Sequence, residues 1–385
     1  MKLPLSLKPE DVLPHDGYAG TLVGRVWLDD VGGPAVVVIR ESGVQDISAH
    51  APTMASLLEL PSPAQAVRAM TGPRLGSLAE VLPRLLAPCD LQVVKASGVT
   101  FASSLLERVI EERAGGDLRR AESIRADVEK AVGGDLRAIK PGSPGAQELK
   151  ALLIRQGMWS QYLEVGIGPD AEVFTKVPVL SSVGAGAAIG IHPKSEWNNP
   201  EPEVVLAVNS RGEVQGAALG NDVNLRDFEG RSALLLSKAK DNTASCAIGP
   251  FIRLFDDTFT LDDLRREDIE LLVEGRDGFV LHGASTMREI SRDPLELVAQ
   301  TLNANHQYPD GFMLFLGTLF APTQDRGAPG LGFTHHVGDL VTIRSARLGG
   351  LRNVVDTSDR VAPWQFGLRA LFTNLAARGL LARAL

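Results

Sequence analysis

Residues 198–209 read NNPEPEVVLAVN. Glu201 and Glu203 stand two positions apart at the head of an apolar run, Val204–Val208. In a strand, residues i and i+2 point to one face, so both carboxylates are aimed at the same place. Like charges held this way repel, and on a core-bound strand they need a counter-charge between them. A third carboxylate follows in GAALGNDVNLRDFEG, where Asp222 ends a small-residue strand. The turn residues before it suggest a hairpin, and paired strands lie about 4.8 Å apart, within reach of one shared ion. Three carboxylates make a hard, oxygen-rich ligand set that suits Mg2+, with Mn2+ as the alternative, and disfavours Zn2+. On spacing alone, an exposed strand start and a turn aspartate fit the same residues equally well.

Two further stretches offer chemistry without deciding it. Lys240 lies in SKAKDNTASCAIGPFI. It reads either as a solvated loop lysine or as a proton-transfer group whose pKa a metal and desolvation would lower. In GFMLFLGTLFAPTQD, Gly317 and Thr318 end an apolar run. They form a plain core strand and turn, or a backbone NH and a hydroxyl that bind a substrate carboxylate where glycine permits close approach. Taken singly, both stretches favour the plain structural reading. His306 and the His335-His336 pair read as surface or structural residues.

The elements that must position these groups are mostly strands. YLEVGIG, EVFTKVPVL, AIGIH, PEVVLAVNS, GEVQGAALG, DIELLVEG, GFVLHGAST, GFMLFLGTLF and GDLVTIRSARLGG recur between Gly, Pro and Asp turns, a β-rich pattern with helices at its edges. Before them, TLVGRVWLDD and GPAVVVIRESGVQDIS predict a strand pair, and TMASLLELPSPAQAVRAM predicts a helix. Residues 104–132 predict an amphipathic helix broken at Gly115-Gly116, and WQFGLRALFTNLAARGLLARAL ends as a helix. The expected organisation is a small β-rich N-terminal domain over 1–94 and a catalytic domain over 95–385, α+β and mostly β. The 385 residues carry 39 Lys and Arg against 47 Asp and Glu, a net charge of −8 with no basic run, which argues against nucleic acid. Cys89 and Cys246 show no metal-type spacing, and no apolar stretch approaches a membrane span. The expectation is a cytoplasmic protein with no membrane partner.

Taken together, PEPEVVLAVNSRGEVQGAALGNDVNLRDFEG, AKDNTASCAIGPFI, LFLGTLFAP and GDLVTIRSARLGGLRNVV resemble the fumarylacetoacetate hydrolase superfamily, in that family's order over about 95–355. The resemblance implies a mixed β-roll catalytic domain and a homodimer or homotetramer. It implies Mg2+ on Glu201, Glu203 and Asp222, Lys240 as the catalytic lysine, and substrate binding at Gly317 and Thr318. Hydrolase members carry a His–Glu pair that activates water. GVTFASSLLE stands in its place, with Ser104 where the histidine would be and Glu107 retained. Serine does not act unaided as that base.

That departure, with DAEVFTK, SEWNNPEPE and HQYPDGFMLFLGTLFAPTQDR, is similar to the branch that dehydrates 2-keto-3-deoxy-pentonates of the 2-dehydro-3-deoxy-D-arabinonate type. The resemblance makes Glu172 the second proton-transfer group, although Ala171 replaces the usual proline. It places Ser104 and Glu107 toward the substrate's distal hydroxyls, on a helix that could close as a lid. The implied product is 2,5-dioxopentanoate. Two alternatives stand beside it: a hydrolase splitting a carbon–carbon bond in a dioxo acid or acylpyruvate, and a non-catalytic sugar-acid-binding homologue.

Overall fold

Residues 204–208 are apolar without alternation because both faces of their strand are covered. In the computed structural model, which describes residues 3–121, 123–125, 139–155, 157–327 and 332–384, the Pro202–Val208 strand sits inside an eleven-stranded sheet. It pairs antiparallel with Val214–Asp222 on one side and with Phe312–Phe315 on the other. Val204, Leu206 and Val208 pack with Leu271, Ile343 and Leu351 of a second, five-stranded sheet. Val205 and Ala207 face the other way, into a core shared with Met54, Leu57 and Val67. A strand enclosed on both sides has no solvent face to mark with polar residues.

The register fixes where the acidic residues stand. Glu203 lies opposite Gly220 and Val205 opposite Ala218. The ladder continues to a hydrogen bond from Asp222 N to Glu201 O, 3.1 Å long. The hairpin inferred for Asp222 is therefore present. Phe312–Phe315 also pairs parallel with Val93–Ser97, which pairs antiparallel with Val173–Val177. Gly317 and Thr318 follow the end of the first of these strands, and Glu172 precedes the last.

Strands of the 1–94 segment extend the same sheet. Leu22–Leu28 pairs with Gly33–Arg40, as expected, and with Cys246–Leu254 through Leu22 opposite Arg253. The helix expected over TMASLLELPSPAQAVRAM is two helices, Met54–Leu58 and Pro63–Ala69, because Pro61 and Pro63 interrupt it. Ala102–Ala114 forms the next long helix and stops at Gly115 and Gly116, whose φ angles of +65° and +75° are left-handed. The rest of the helix expected there reaches 126–132, outside the described residues. The apolar side of Ala102–Ala114 packs Leu105, Val109 and Ile110 against Leu153, Leu163 and Ile167 of helices Pro144–Arg155 and Gln161–Ile167. The architecture is α+β and mostly β. Among the described residues no helix is long and apolar enough to cross a membrane.

Polar ties bind the first segment to the sheet. Arg253 donates to both oxygens of Asp16 at 2.9 and 2.7 Å. Asp256 accepts from the Thr21 hydroxyl at 2.8 Å, from the Thr258 NH at 2.7 Å and hydroxyl at 2.6 Å, and pairs with Arg68 at 2.6 Å. Burial raises the Asp256 pKa, but the bonds from Thr258, Thr21 and Arg68 outweigh it and hold the carboxyl down at about 2, against an ordinary 3.8. A depressed carboxyl stabilises the fold above its unfolded pKa and loses that contribution as pH falls through its folded value. Asp256→Asn is expected to cost about 2 kcal/mol at neutral pH. It should also flatten the fall in stability between pH 3.8 and about 2, as measured by urea unfolding across that range.

Candidate active site

Glu201, Glu203 and Asp222 converge. Each offers an oxygen within 4.8 Å of the others, and all three side chains are buried. Strand geometry is the cause: the two glutamates share a face, and Asp222 is delivered to it by the hairpin register. The charge is met by bases from three other elements. Lys240, at the end of helix Leu236–Lys240, donates to Glu201 Oε2 at 2.5 Å and to Asp222 Oδ2 at 3.0 Å. Lys176, fully buried in Val173–Val177, pairs with Asp222 Oδ1 at 2.8 Å. Arg108, from Ala102–Ala114, grips the other oxygen of Glu201 and reaches Glu111 at 2.6 Å and Glu229 at 2.9 Å.

The surroundings push the titrating groups apart. Burial, then the Asp222 and Glu201 charges, raise the Glu203 pKa well above the carboxylate range. Asp222 goes the other way: burial opposes its charge, but Lys176 and Lys240 prevail and lower it. Burial raises Glu172 against the pull of Arg108 and Lys240. Lys240 feels opposing influences. Desolvation lowers its pKa, but Asp222, Glu201 and Glu229 overcome that and raise it.

A small cavity of about 20 Å³ lies over this cluster, enough for an ion or one water. Glu172, Ser104, Thr318, Lys240 and all three convergent carboxylates line it, together with Ser97, Phe174 and Arg108. Glu172 is partly buried and fixed by a glycine: a Cβ on Gly98 would stand 1.8 Å from its Oε2. Gly317 NH and the Thr318 hydroxyl, expected to face a substrate carboxylate, donate to Glu203 at 2.7 and 3.2 Å. Ser104 Oγ donates to Phe101 O at 2.9 Å. Glu107 lies outside the cavity, taken up by Arg226 at 2.8 Å and by Arg125. His335 pairs with Asp339 and His306 stacks on Tyr308, and among the described residues no histidine lines the cavity.

Arg108, Lys176 and Glu229 escaped the sequence reading. Lys176 had a signal: Glu172, Phe174 and Lys176 alternate, so a strand that presents Glu172 presents all three. Arg108 had none, because Ser104, Glu107, Arg108 and Glu111 are spaced as the solvated stripe of any amphipathic helix.

The donor set fits a hard divalent ion: all ligands are carboxylate oxygens, buried and mutually in reach. Asp222 Oδ1 is buried and meets Lys176 at 2.8 Å.

No family model matches the chain. It is similar to a probable 2-keto-3-deoxyxylonate dehydratase of Haloferax volcanii, 33% identical over 201 residues, which are 52% of this chain and 65% of that protein. The chain thus spans just under two thirds of the length of that curated relative. Among solved structures, a 2-keto-3-deoxy-D-arabinonate dehydratase complexed with magnesium and 2,5-dioxopentanoate superposes with a TM-score of 0.61 at 21% identity, covering 87% of this chain and 99% of that one. A fumarylacetoacetate hydrolase from Exiguobacterium antarcticum gives 0.54 at 15% identity, covering 88% and 99%. The chain has the fumarylacetoacetate hydrolase-like fold. The expected fold class and the resemblance of the four motifs agree with that finding.

Within this fold Lys176 and Asp222 form a buried pair whose members need each other. Removing Lys176 leaves the buried Asp222 charge to Lys240 alone. Lys176→Met is expected to destabilise the protein by about 3–5 kcal/mol, and Lys176→Met with Asp222→Asn to recover most of it. Chemical unfolding of the single and double variants checks this.

Proposed function

We propose that this protein is a Mg2+-dependent hydro-lyase that converts a 2-keto-3-deoxy-pentonate to 2,5-dioxopentanoate. The observation that carries the reading is the shared cavity. Glu172 and Lys240 both line it beside Glu201, Glu203 and Asp222, and no histidine stands with them. Two ionisable groups beside a hard-ion site suit elimination next to a ketone. A water-activating dyad is not assembled, since Ser104 is bound to the backbone, so carbon–carbon hydrolysis has less support. The dehydratase similarity supports the same reading. The reading also carries a homodimer or homotetramer, which the resemblance of the motifs supports, a cytoplasmic setting, which the two free cysteines support, and a small N-terminal domain over 1–94, whose strands join the main sheet.

When bound, the divalent ion draws electron density from the keto acid and acidifies its C3 hydrogens. Glu201, Glu203 and Asp222 would hold it. Lys240 and Glu172 divide the two proton transfers: one removes a C3 proton, and the other protonates the C4 hydroxyl as it departs as water. Loss of H from C3 and OH from C4 leaves an enone that still bears the C5 hydroxyl. It then tautomerises: the C5 carbinol becomes the aldehyde while C3 and C4 each gain a hydrogen. A cavity of about 20 Å³ does not hold a five-carbon acid, so its wall must yield. Arg108, which ties helix Ala102–Ala114 to Glu201, is part of that wall.

The test is to incubate the protein with 2-keto-3-deoxy-pentonates of both C4 configurations and follow 2,5-dioxopentanoate as a trapped aldehyde. EDTA should abolish turnover and Mg2+ restore it. Lys240→Ala and Glu172→Gln should each lower kcat by about 10²–10⁴. Full turnover in both variants would overturn the assignment, and pyruvate released from an acylpyruvate would move the reading to the hydrolase.

A further inference from the structure

Three hydroxyls line the cavity: Ser97, Ser104 and Thr318. Two are engaged within the protein, Ser104 Oγ with Phe101 O at 2.9 Å and Thr318 Oγ1 with Glu203 Oε1 at 3.2 Å. Ser97 is different. It is 2% exposed, and its Oγ has no hydrogen-bond partner among the described residues. A buried hydroxyl without a partner carries a desolvation cost that no contact in the protein offsets. Its position is fixed from both sides. Ser97 ends the Val93–Ser97 strand opposite Val173. The next residue, Gly98, lies against the Glu172 carboxylate and donates its NH to Glu172 O at 3.2 Å. Ser97 and Glu172 both line the cavity, so the unpaired hydroxyl belongs to the same pocket as one of the two proton-transfer groups.

We propose that Ser97 Oγ is the hydrogen-bond partner of the substrate's C5 hydroxyl, an inference that rests on the dehydratase reading above. The chemistry of the substrate's oxygens selects C5. The C1 and C2 oxygens belong to the acid and ketone, which a bound divalent ion and the charged groups would take. The C4 oxygen leaves as water and needs a proton from an ionisable acid, which a serine hydroxyl does not supply near neutral pH. The C5 hydroxyl is neutral and stays on the carbon chain through the elimination. A neutral donor and acceptor held rigidly at a strand end is the matching partner. A site built to pair a substrate hydroxyl rejects the analogue that lacks it, because the protein's own group is then left unpaired.

The experiment compares 2-keto-3-deoxy-pentonate with 4-hydroxy-2-oxopentanoate, which has a methyl group at C5, by calorimetric binding and by kcat/KM with Mg2+ present. The native protein is expected to prefer the full acid about tenfold. Ser97→Ala should abolish that preference by weakening the full acid alone. Because the substitution removes an unpaired buried hydroxyl, the Tm should hold or rise, a signature that a structural serine would not give. Equal weakening of both acids, an undiminished preference in Ser97→Ala, or a lowered Tm overturns the proposal. If the native protein binds the full acid preferentially but forms no aldehyde, the dehydratase reading fails while the Ser97 assignment stands. If it binds neither acid, both are overturned.

Discussion

The hydrogen bond from Asp222 N to Glu201 O closes the hairpin ladder at the point where three carboxylates are buried together. The rest of the site follows from having to tolerate that concentration of charge. Each carboxylate interior to a sheet carries a heavy desolvation cost unless paired. The chain answers from three directions, with Lys176 from strand Val173–Val177, Lys240 from a short helix and Arg108 from a long one. These bases lie far apart in sequence, so the pairs also pin their elements around one point. The groups suited to proton transfer are brought in by the same pairing.

A second layer of charge holds the first in place. Arg108 is steadied by Glu111 and Glu229, and Glu111 by Arg226, whose guanidinium lies 4.4 Å from the Trp197 ring. Arg226 also takes up Glu107. The polar stripe of helix Ala102–Ala114 is therefore an internal surface, while its apolar side is shared with two other helices. This arrangement lets one helix both seal the cavity and orient the base nearest Glu201.

How much could be read from the sequence depended on whether local geometry alone settled the question. The Glu201–Glu203 pair was legible because period-two alternation holds for any strand. Asp222 was legible because a hairpin puts close neighbours in register. Glu172 and Lys240 needed the resemblance of the motifs, since nothing local distinguishes them from exposed residues. Glu107 shows the opposite limit: its position on the helix is compatible with the cavity, yet Arg226 and Arg125 bind it elsewhere. Continuity of the first strands with the main sheet was also hidden, as Leu22 meets Arg253 across more than two hundred residues.

The enclosure of Pro202–Val208 on both faces has a consequence for how such a centre can change over time. Its odd-numbered residues look into one core and its even-numbered residues into the other. Adding or deleting a single residue in that segment would exchange the two sets and carry the glutamates to the wrong side. Lineages can therefore retune this centre by swapping side chains around it, whereas length changes are confined to the loops beyond the strand ends.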